Sequence, residues 1–278
     1  MTSVVPLQEA ALPWGFLFRS PRAECCRLEA IGEFGDCVMR LSKFEATSPY
    51  RVRLVRTTEQ FDAVLRVREK GYAHLSGKAG DFRRLDEGDE DRTATLILAE
   101  DGTTGEPLGT ARVHVGHEYL SSYLPELKLP AEFFALRVSY TSRLTVCGRE
   151  PAEQEFVTSL IVKSLYQIYV ASQVSRAIIL IRPSTKGYFS RLGFDSIVGK
   201  DSVIDLSAKG YDPLLACSQK VAKFDEHLMR RVPALYNFVF GTFHPEIEVF
   251  QSITSRPSRQ NQFRVPIFNS SVGEKRVA

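Results

Sequence analysis

Val138-Ser-Tyr-Thr-Ser-Arg-Leu-Thr-Val146 runs into the loop Cys147-Gly-Arg-Glu150 and an apolar stretch from Pro151 to Ser172. Ala177-Ile-Ile-Leu-Ile-Arg182 and Tyr188-Phe-Ser-Arg-Leu-Gly-Phe194 follow, and this succession decides the fold. The first segment is rich in Val, Thr and Tyr, side chains that suit a pleated, half-buried strand. Pro151 opens a helix at little cost, because its fixed φ and missing N–H match the first helical position. That helix is apolar nearly all round (Phe156, Val157, Leu160, Ile161, Val162, Leu165, Ile168 and Val170), so it needs cover on two sides. The next segment is a continuous apolar strand. A short helix and a Gly-Phe corner close the unit.

Composition sets outer bounds. The 278 residues are 44% hydrophobic, enough for a full core in one large or two small domains. Net charge is +3, from 36 basic and 33 acidic residues that are interspersed, which gives no electrostatic case for a nucleic-acid partner. The five cysteines (Cys25, Cys26, Cys37, Cys147 and Cys217) are an odd number, with no CxxC pair and no His at zinc spacing. Reduced thiols in a cytoplasmic protein are expected, without a structural metal. No basic leader and no run of 18 apolar residues predicts a signal or an integral membrane segment.

Working outward, residues 1–49 show no sustained period and are assigned as an N-terminal arm. Tyr50 to Arg56 alternates as a strand. Thr57 and Gln60 form a capping box for a helix carrying Phe61, Val64, Leu65, Arg68 and Tyr72, which ends near Ala73. Residues 74–92 are charged and loop-like. A hairpin follows, with strands Thr93–Ala99 and Pro107–Val115 turning at Asp101-Gly102, and leads to a strand at 136–146. The core is thus predicted over 50–210, in the order β-α-β-β-β-α-β. Ser202–Leu206 is an edge strand, 211–252 a C-terminal helical extension with a helix from about Asp212 to Arg231, and 253–278 a polar tail.

Three local patterns narrow the class. They are Arg66, Arg68 and Tyr72 on a helix before the acidic loop Asp86-Glu-Gly-Asp-Glu-Asp91; Gly109-Thr-Ala-Arg112; and Ser142-Arg143-Leu-Thr-Val146. With the opening succession, they make the chain from about Arg51 to Ile197 resemble the GCN5-related N-acyltransferases (GNAT superfamily). Within it, the similarity is to the branch of long-chain N-acyl amino acid synthases and acyl-homoserine lactone synthases. The resemblance implies an α+β, GNAT-like acyltransferase fold, with a mixed, mostly antiparallel sheet flanked by helices and with N- and C-terminal extensions. It implies transfer of a fatty acyl group from a thioester to the amine of an amino acid or related small molecule.

It also implies where chemistry would occur. The central strand splays from its neighbour, and the backbone at Leu144, Thr145 and Val146 falls where an oxyanion donor is needed. Val146, Cys147, Gly148 and Arg149 fall where the donor's phosphate enters at the helix N-terminus. Coenzyme A enzymes of this kind carry an Arg/Gln-x-x-Gly-x-Gly/Ala turn there. Cys147-Gly-Arg-Glu-Pro-Ala152 lacks it, which favours a single-phosphate donor, acyl-phosphopantetheine on an acyl carrier protein, over acyl-CoA. No tightly bound cofactor is expected.

Two family positions are altered: Tyr140 stands where the lactone synthases place Glu, and Phe189 where coenzyme A enzymes place Tyr, with Tyr188 one residue early. Candidate acid/base groups are therefore Tyr140, Asp89 and His114. Arg112 and Arg143 either pair with Asp86, Asp89 or Asp91, or bind a carboxylate or the carrier phosphate. Arg66, Arg68, Tyr72, Phe133 and Phe134 complete the acceptor-side candidates, the two Phe as cover for an acyl tunnel beside the long helix. Lys220, Lys223, Arg230 and Arg231 form a helix face suited to an acidic carrier protein. Two alternatives stand beside this reading: an acyl-CoA-dependent acetyltransferase of a small molecule or protein, and a non-catalytic GNAT-like ligand-binding or scaffold protein.

Overall fold

The computed structural model describes residues 48–76, 86–123, 125, 127, 129–197, 203–204 and 213–249. The arm up to 47 and the tail from 250 lie outside the described residues. Strand β1 (Tyr50–Leu54) leads into helix α1 (Thr58–Ser76), then α2 (Glu87–Glu90), β2 (Ala94–Asp101), β3 (Pro107–Val115), α3 (Glu118–Tyr123) and a 3-10 turn at Ala131–Ala135. β4 (Val138–Val146), α4 (Pro151–Ala171), β5 (Arg176–Ile181) and α5 (Lys186–Arg191) form the second half of the core. β6 (Asp195–Ser196), β7 (Val203–Ile204), β8 (Leu214–Lys220), α6 (Phe224–Arg231), α7 (Pro233–Tyr236) and a π-helical turn (Asn237–Gly241) follow. Among the described residues, no helix is long and apolar enough to cross a membrane.

One sheet organises the molecule, in the order β1-β2-β3-β4-β5-β8-β6, with β7 also paired to β8. Every pairing is antiparallel except β4 with β5. This is the mixed, mostly antiparallel sheet that the sequence led us to expect. Residues of β3 alternate between two layers, as the period of a strand requires. Ala111 and Val113 join Leu160, Ile161 and Leu165 of α4 in the larger core. Arg112 and His114 face the other layer, where Tyr119, Leu120, Phe133, Tyr140 and Ile178 pack together. On the outer edge, Val52 N–H donates to the Glu246 carbonyl at 2.9 Å and the Val52 carbonyl accepts from Glu248 N–H at 2.8 Å, so a C-terminal segment covers β1.

The capping box at α1 is present: Gln60 N–H donates to Thr57 Oγ1 at 3.3 Å, and Gln60 Oε1 accepts from Thr57 N–H at 3.2 Å. The helix runs three residues beyond the expected end at Ala73. Within the region expected to be loop, Asp86 caps the short helix α2. The main correction lies at the C-terminus. Leu214–Lys220 was expected to be helical, yet it is strand β8, hydrogen-bonded to β5 along six residue pairs. Leu215 to Gln219 are all buried, so the strand lacks the alternation that marks a one-sided strand. The helix begins only at Phe224, and the sheet core therefore extends beyond 210, through Lys220. The expected edge strand Ser202–Leu206 is seen at Val203–Ile204, and its other residues lie outside the described set.

Candidate active site

The site begins with a break in the sheet. β4 pairs with β5 only from Val138–Arg176 to Thr141–Ile179, yet β4 continues to Val146. On its other side, the register to β3 shifts between Thr110 and Arg112, which oppose Thr145 and Ser142. One extra β4 residue is accommodated there, and Arg143 has φ 56°, as expected at a bulge. A bulge bends and twists its strand, which turns the second half of β4 away from β5.

Backbone polarity at the gap follows from the ladder. Cys147 N–H donates to the Leu108 carbonyl at 2.7 Å, and the register pairs Thr145 with Thr110 and Val146 with Gly109. Antiparallel residues alternate between exchanging hydrogen bonds and directing those groups outward. Leu144 and Val146 therefore turn their N–H and C=O toward the side that β5 has left. Thr145 spends its backbone groups on β3.

Beside the bulge lies a buried ion cluster. Asp89 accepts from Arg68 of α1 at both oxygens, 2.6 and 2.9 Å, and from Arg112 Nη1 at 3.0 Å. Arg112 also donates to Asp86 Oδ1 and, through Nε, to Ser142 Oγ at 3.1 Å. Arg143 donates to Asp86 Oδ2 from Nε at 3.0 Å and from Nη2 at 2.6 Å. Side chains of Arg68 and Arg112 are 2% exposed and that of Asp89 0%, so each charge needs its partners. Asp86 Oδ1 further accepts the N–H groups of Gly88 and Asp89 at 3.0 and 3.1 Å. Burial pushes the Asp86 carboxyl up, but Arg112 and Arg143 overcome it and hold it at about 2. Among the described residues, three guanidiniums thus face two carboxylates. Gly88 makes the close approach possible, since a Cβ there would stand 2.6 Å from Arg112 Cζ and collide with the Tyr119 hydroxyl.

His114 sits next to this cluster and is fully buried. Its ring stacks on Tyr119 at a centroid distance of 3.7 Å, and Nδ1 lies 3.6 Å from Asp91 Oδ1 and 3.3 Å from Thr93 Oγ1. Burial, reinforced by the Arg112 charge, lowers its pKa to about 4, so the imidazole is neutral near pH 7. Its Nε2 has no hydrogen-bond partner among the described residues. Tyr140 is opposite His114 in the register and buried in the same aromatic group.

Other expected residues fall elsewhere. Arg66 is exposed, on the far side of α1 from Arg68, while Tyr72 is half-buried. Phe133 is buried under Arg176, at the start of β5, and Phe134 is exposed against His117, so both lie by the paired end of β4 and β5. Neither covers the gap. In the donor loop, Val146 packs against the α4 core, and Cys147 turns to α1, donating its thiol hydrogen to the Val67 carbonyl at 3.3 Å. Burial pushes that thiol's pKa up. Gln154 Nε2 donates to the Gly148 carbonyl at 2.9 Å. Arg149 is exposed and paired with Glu106, and the Glu153 carboxylate accepts the Arg149 N–H at the start of α4.

Ser142 and Gly88 stood within the quoted patterns but were given no role, since neither type signals one without its neighbours. A cavity of about 260 Å³ lies between α4, α5 and α7, with Val162, Leu192, Val232 and Leu235 in its wall beside Ser159 and Tyr188. Burial, then the nearby Glu155 charge, raises the Tyr188 pKa to about 12.

Comparison with known proteins agrees with this architecture. No family model and no curated protein matches the sequence. Among solved structures, the fold is similar to FeeM, an N-acyl amino acid synthase from uncultured soil microbes, with TM-score 0.51 and 17% identity over 65% of this chain and 96% of that one. Matches also include the CoA-dependent acyl-homoserine lactone synthase BjaI (TM-score 0.48, 13% identity, 70% and 93% coverage) and the AHL synthase LasI (0.48, 12%, 62% and 90%). The fold is that of the GCN5-related N-acyltransferases, as the sequence resemblance implied.

Proposed function

We propose that this protein is an N-acyltransferase that moves a fatty acyl group from an acyl carrier protein thioester to the amine of an amino acid or related small molecule. The observation that carries this reading is the opened β4–β5 pair, with pairing that stops at Thr141–Ile179 and outward-facing backbone at Leu144 and Val146. An N–H in that gap meets the thioester oxygen as it becomes an oxyanion, and one such donor contributes about 3 kcal/mol to the transition state. Holding amine and thioester together contributes roughly 7–11 kcal/mol more.

In this reading, Arg143, the member of the ion cluster beside the gap, receives the acceptor's carboxylate. The apolar cavity along α4 takes the acyl chain. Asp89 is a poor base, because both its oxygens are held by guanidiniums. His114 is neutral but buried, so water is the simplest proton acceptor. Carrier protein is favoured over coenzyme A by the donor loop. Arg149 is engaged by Glu106, and Glu153 lies at the helix start, where a pyrophosphate would need positive charge and free N–H groups.

The test is expression in a bacterial host, followed by mass spectrometry of the lipid extract for new N-acyl amino acids. Purified protein is then given acyl carrier protein thioester and the matching acyl-CoA in competition. Equal or faster use of acyl-CoA removes the carrier-protein assignment, and no acylated amine from either donor removes the enzyme.

A further inference from the structure

A second cavity, about 290 Å³, opens at the opposite end of the β4–β5 pair, between the 3-10 turn, the Gly193 corner, β8 and α6. Its wall carries Arg176 from the first position of β5 and, directly opposite it in the register, Lys220 from the last position of β8. Lys223 and His227 extend the basic wall onto α6. This volume lies near the lower end of small-molecule sites.

The arrangement is built rather than incidental. The Arg176 guanidinium lies 5.1 Å from the centroid of the buried Phe133 ring, and its Nη1 donates to Ser218 Oγ at 3.1 Å, so its direction is fixed. Gly193, at φ 89°, lets the His227 ring lie against the chain, since a Cβ would come 2.8 Å from His227 Cγ. Ser196 Oγ, also in the wall, is buried with no hydrogen-bond partner among the described residues. A buried hydroxyl without a partner is costly and calls for one. Against the cations Arg176, Lys220 and Lys223 stand Glu132 and Asp195, both exposed at the rim, while Lys223 is also paired with Glu226 at 3.0 Å.

We propose that this cavity is a binding site for a small phosphomonoester. The convergent donors (one guanidinium, two ammonium groups and two serine hydroxyls) outnumber what a carboxylate accepts and suit the three terminal oxygens of a phosphate. The rim carboxylates suit hydroxyl or amine groups on the ester's remainder. The site is separate from the gap at Leu144–Val146, so its ligand is an effector and not the acyl donor. Helix α6 runs between the two cavities: His227 borders this one, with Lys223 just before the helix, and Arg231 borders the apolar one.

Titration calorimetry on the full chain, with inorganic phosphate and with glycerol 3-phosphate, tests this without reference to catalysis, so its outcome is independent of the acyl-transfer reading. Saturable one-site binding is expected, tighter for glycerol 3-phosphate. Arg176→Gln should weaken it about tenfold or more, and Arg51→Gln, on β1 at the other edge of the sheet, should leave it unchanged. Should Arg176→Gln fail to fold, the exposed pair Lys220→Gln and Lys223→Gln carries the same expectation. Absence of saturable binding at millimolar ligand, or equal binding by these folded variants, overturns the site. Binding of inorganic phosphate alone overturns the ester.

Discussion

Arg143 adopts φ 56° at the β4 bulge and places both Nε and Nη2 on Asp86 Oδ2, at 3.0 and 2.6 Å. The residue that opens the sheet is thus tied to the loop that carries the acidic cluster. Left-handed backbone costs a non-glycine residue roughly 1–2 kcal/mol, and hydrogen bonds to charged groups return about 1.5–3 kcal/mol. Arg143→Ala should therefore lose about 1.5–3 kcal/mol in urea denaturation. Arg143→Gly should be about 1 kcal/mol more stable than the alanine variant, and both should lose activity toward a carboxylate-bearing acceptor. Normal turnover in either would remove Arg143 from acceptor binding.

The buried half of the cluster should be far less tolerant. Arg112→Ala leaves Asp89 and Asp86 short of a partner and is expected to cost about 3–5 kcal/mol. Gly88→Ala, a change of one methyl group, should cost about 1–3 kcal/mol by forcing Arg112 and Tyr119 aside. Chemical denaturation of both measures this, and a neutral Gly88→Ala would show that α2 shifts freely.

Acid should weaken the protein in two steps. His114 holds a proton only below about pH 4 when folded but below 6.5 when unfolded, so unfolding takes up a proton between those values. Stability should fall by about 3 kcal/mol as pH drops through that window. Asp86 stays ionised to about 2 when folded and protonates below 3.8 when unfolded, which adds a second loss from 3.8 down to about 2. His114→Gln should flatten the first step and keep the second; an unchanged upper step would assign it elsewhere.

Lys163 gives a dependence of the same sign at alkaline pH. It is buried in α4, donates to the Phe238 carbonyl at 3.0 Å and to the Thr242 carbonyl, and so fastens the C-terminal turn to the helix. Burial lowers its pKa from 10.5 to about 8. The unfolded chain binds the extra proton between those values, so this residue makes stability rise by about 3 kcal/mol with pH across that window. Subtracting the pH profile of Lys163→Met from the wild type isolates the contribution, and parallel profiles would rule it out.

No single side chain should carry the proton transfer. Tyr140 and His114 are buried in the aromatic group and Asp89 is held by two arginines. Removing a dedicated base costs about 100- to 10,000-fold in rate. Substituting Tyr140, Asp89 and His114 separately should each lower the turnover of folded variants by less, and a loss in that range identifies the base.

Local signals were legible wherever a residue acts on its own neighbours. The Thr57–Gln60 capping box, Pro151 at the start of α4, the β2–β3 hairpin and the apolar run of β5 each depend on a few adjacent side chains. Arg112 and Arg143 were recognisable as charges that need partners, with Asp86, Asp89 or Asp91 as one alternative, because burying such groups alone is prohibitive. The part of Arg68 was not: Asp89 lies 21 residues from it, so only packing could bring them together, and packing also decided which carboxylate Arg143 meets. Leu214–Lys220 was misassigned for the same reason, since a strand buried between β5 and an outer edge has no solvent side to impose alternation. The opening of the sheet is likewise a tertiary decision. Nothing about an arginine announces φ 56°, and the bulge exists because β3 and Asp86 together hold Arg143 in a backbone state it would not adopt alone.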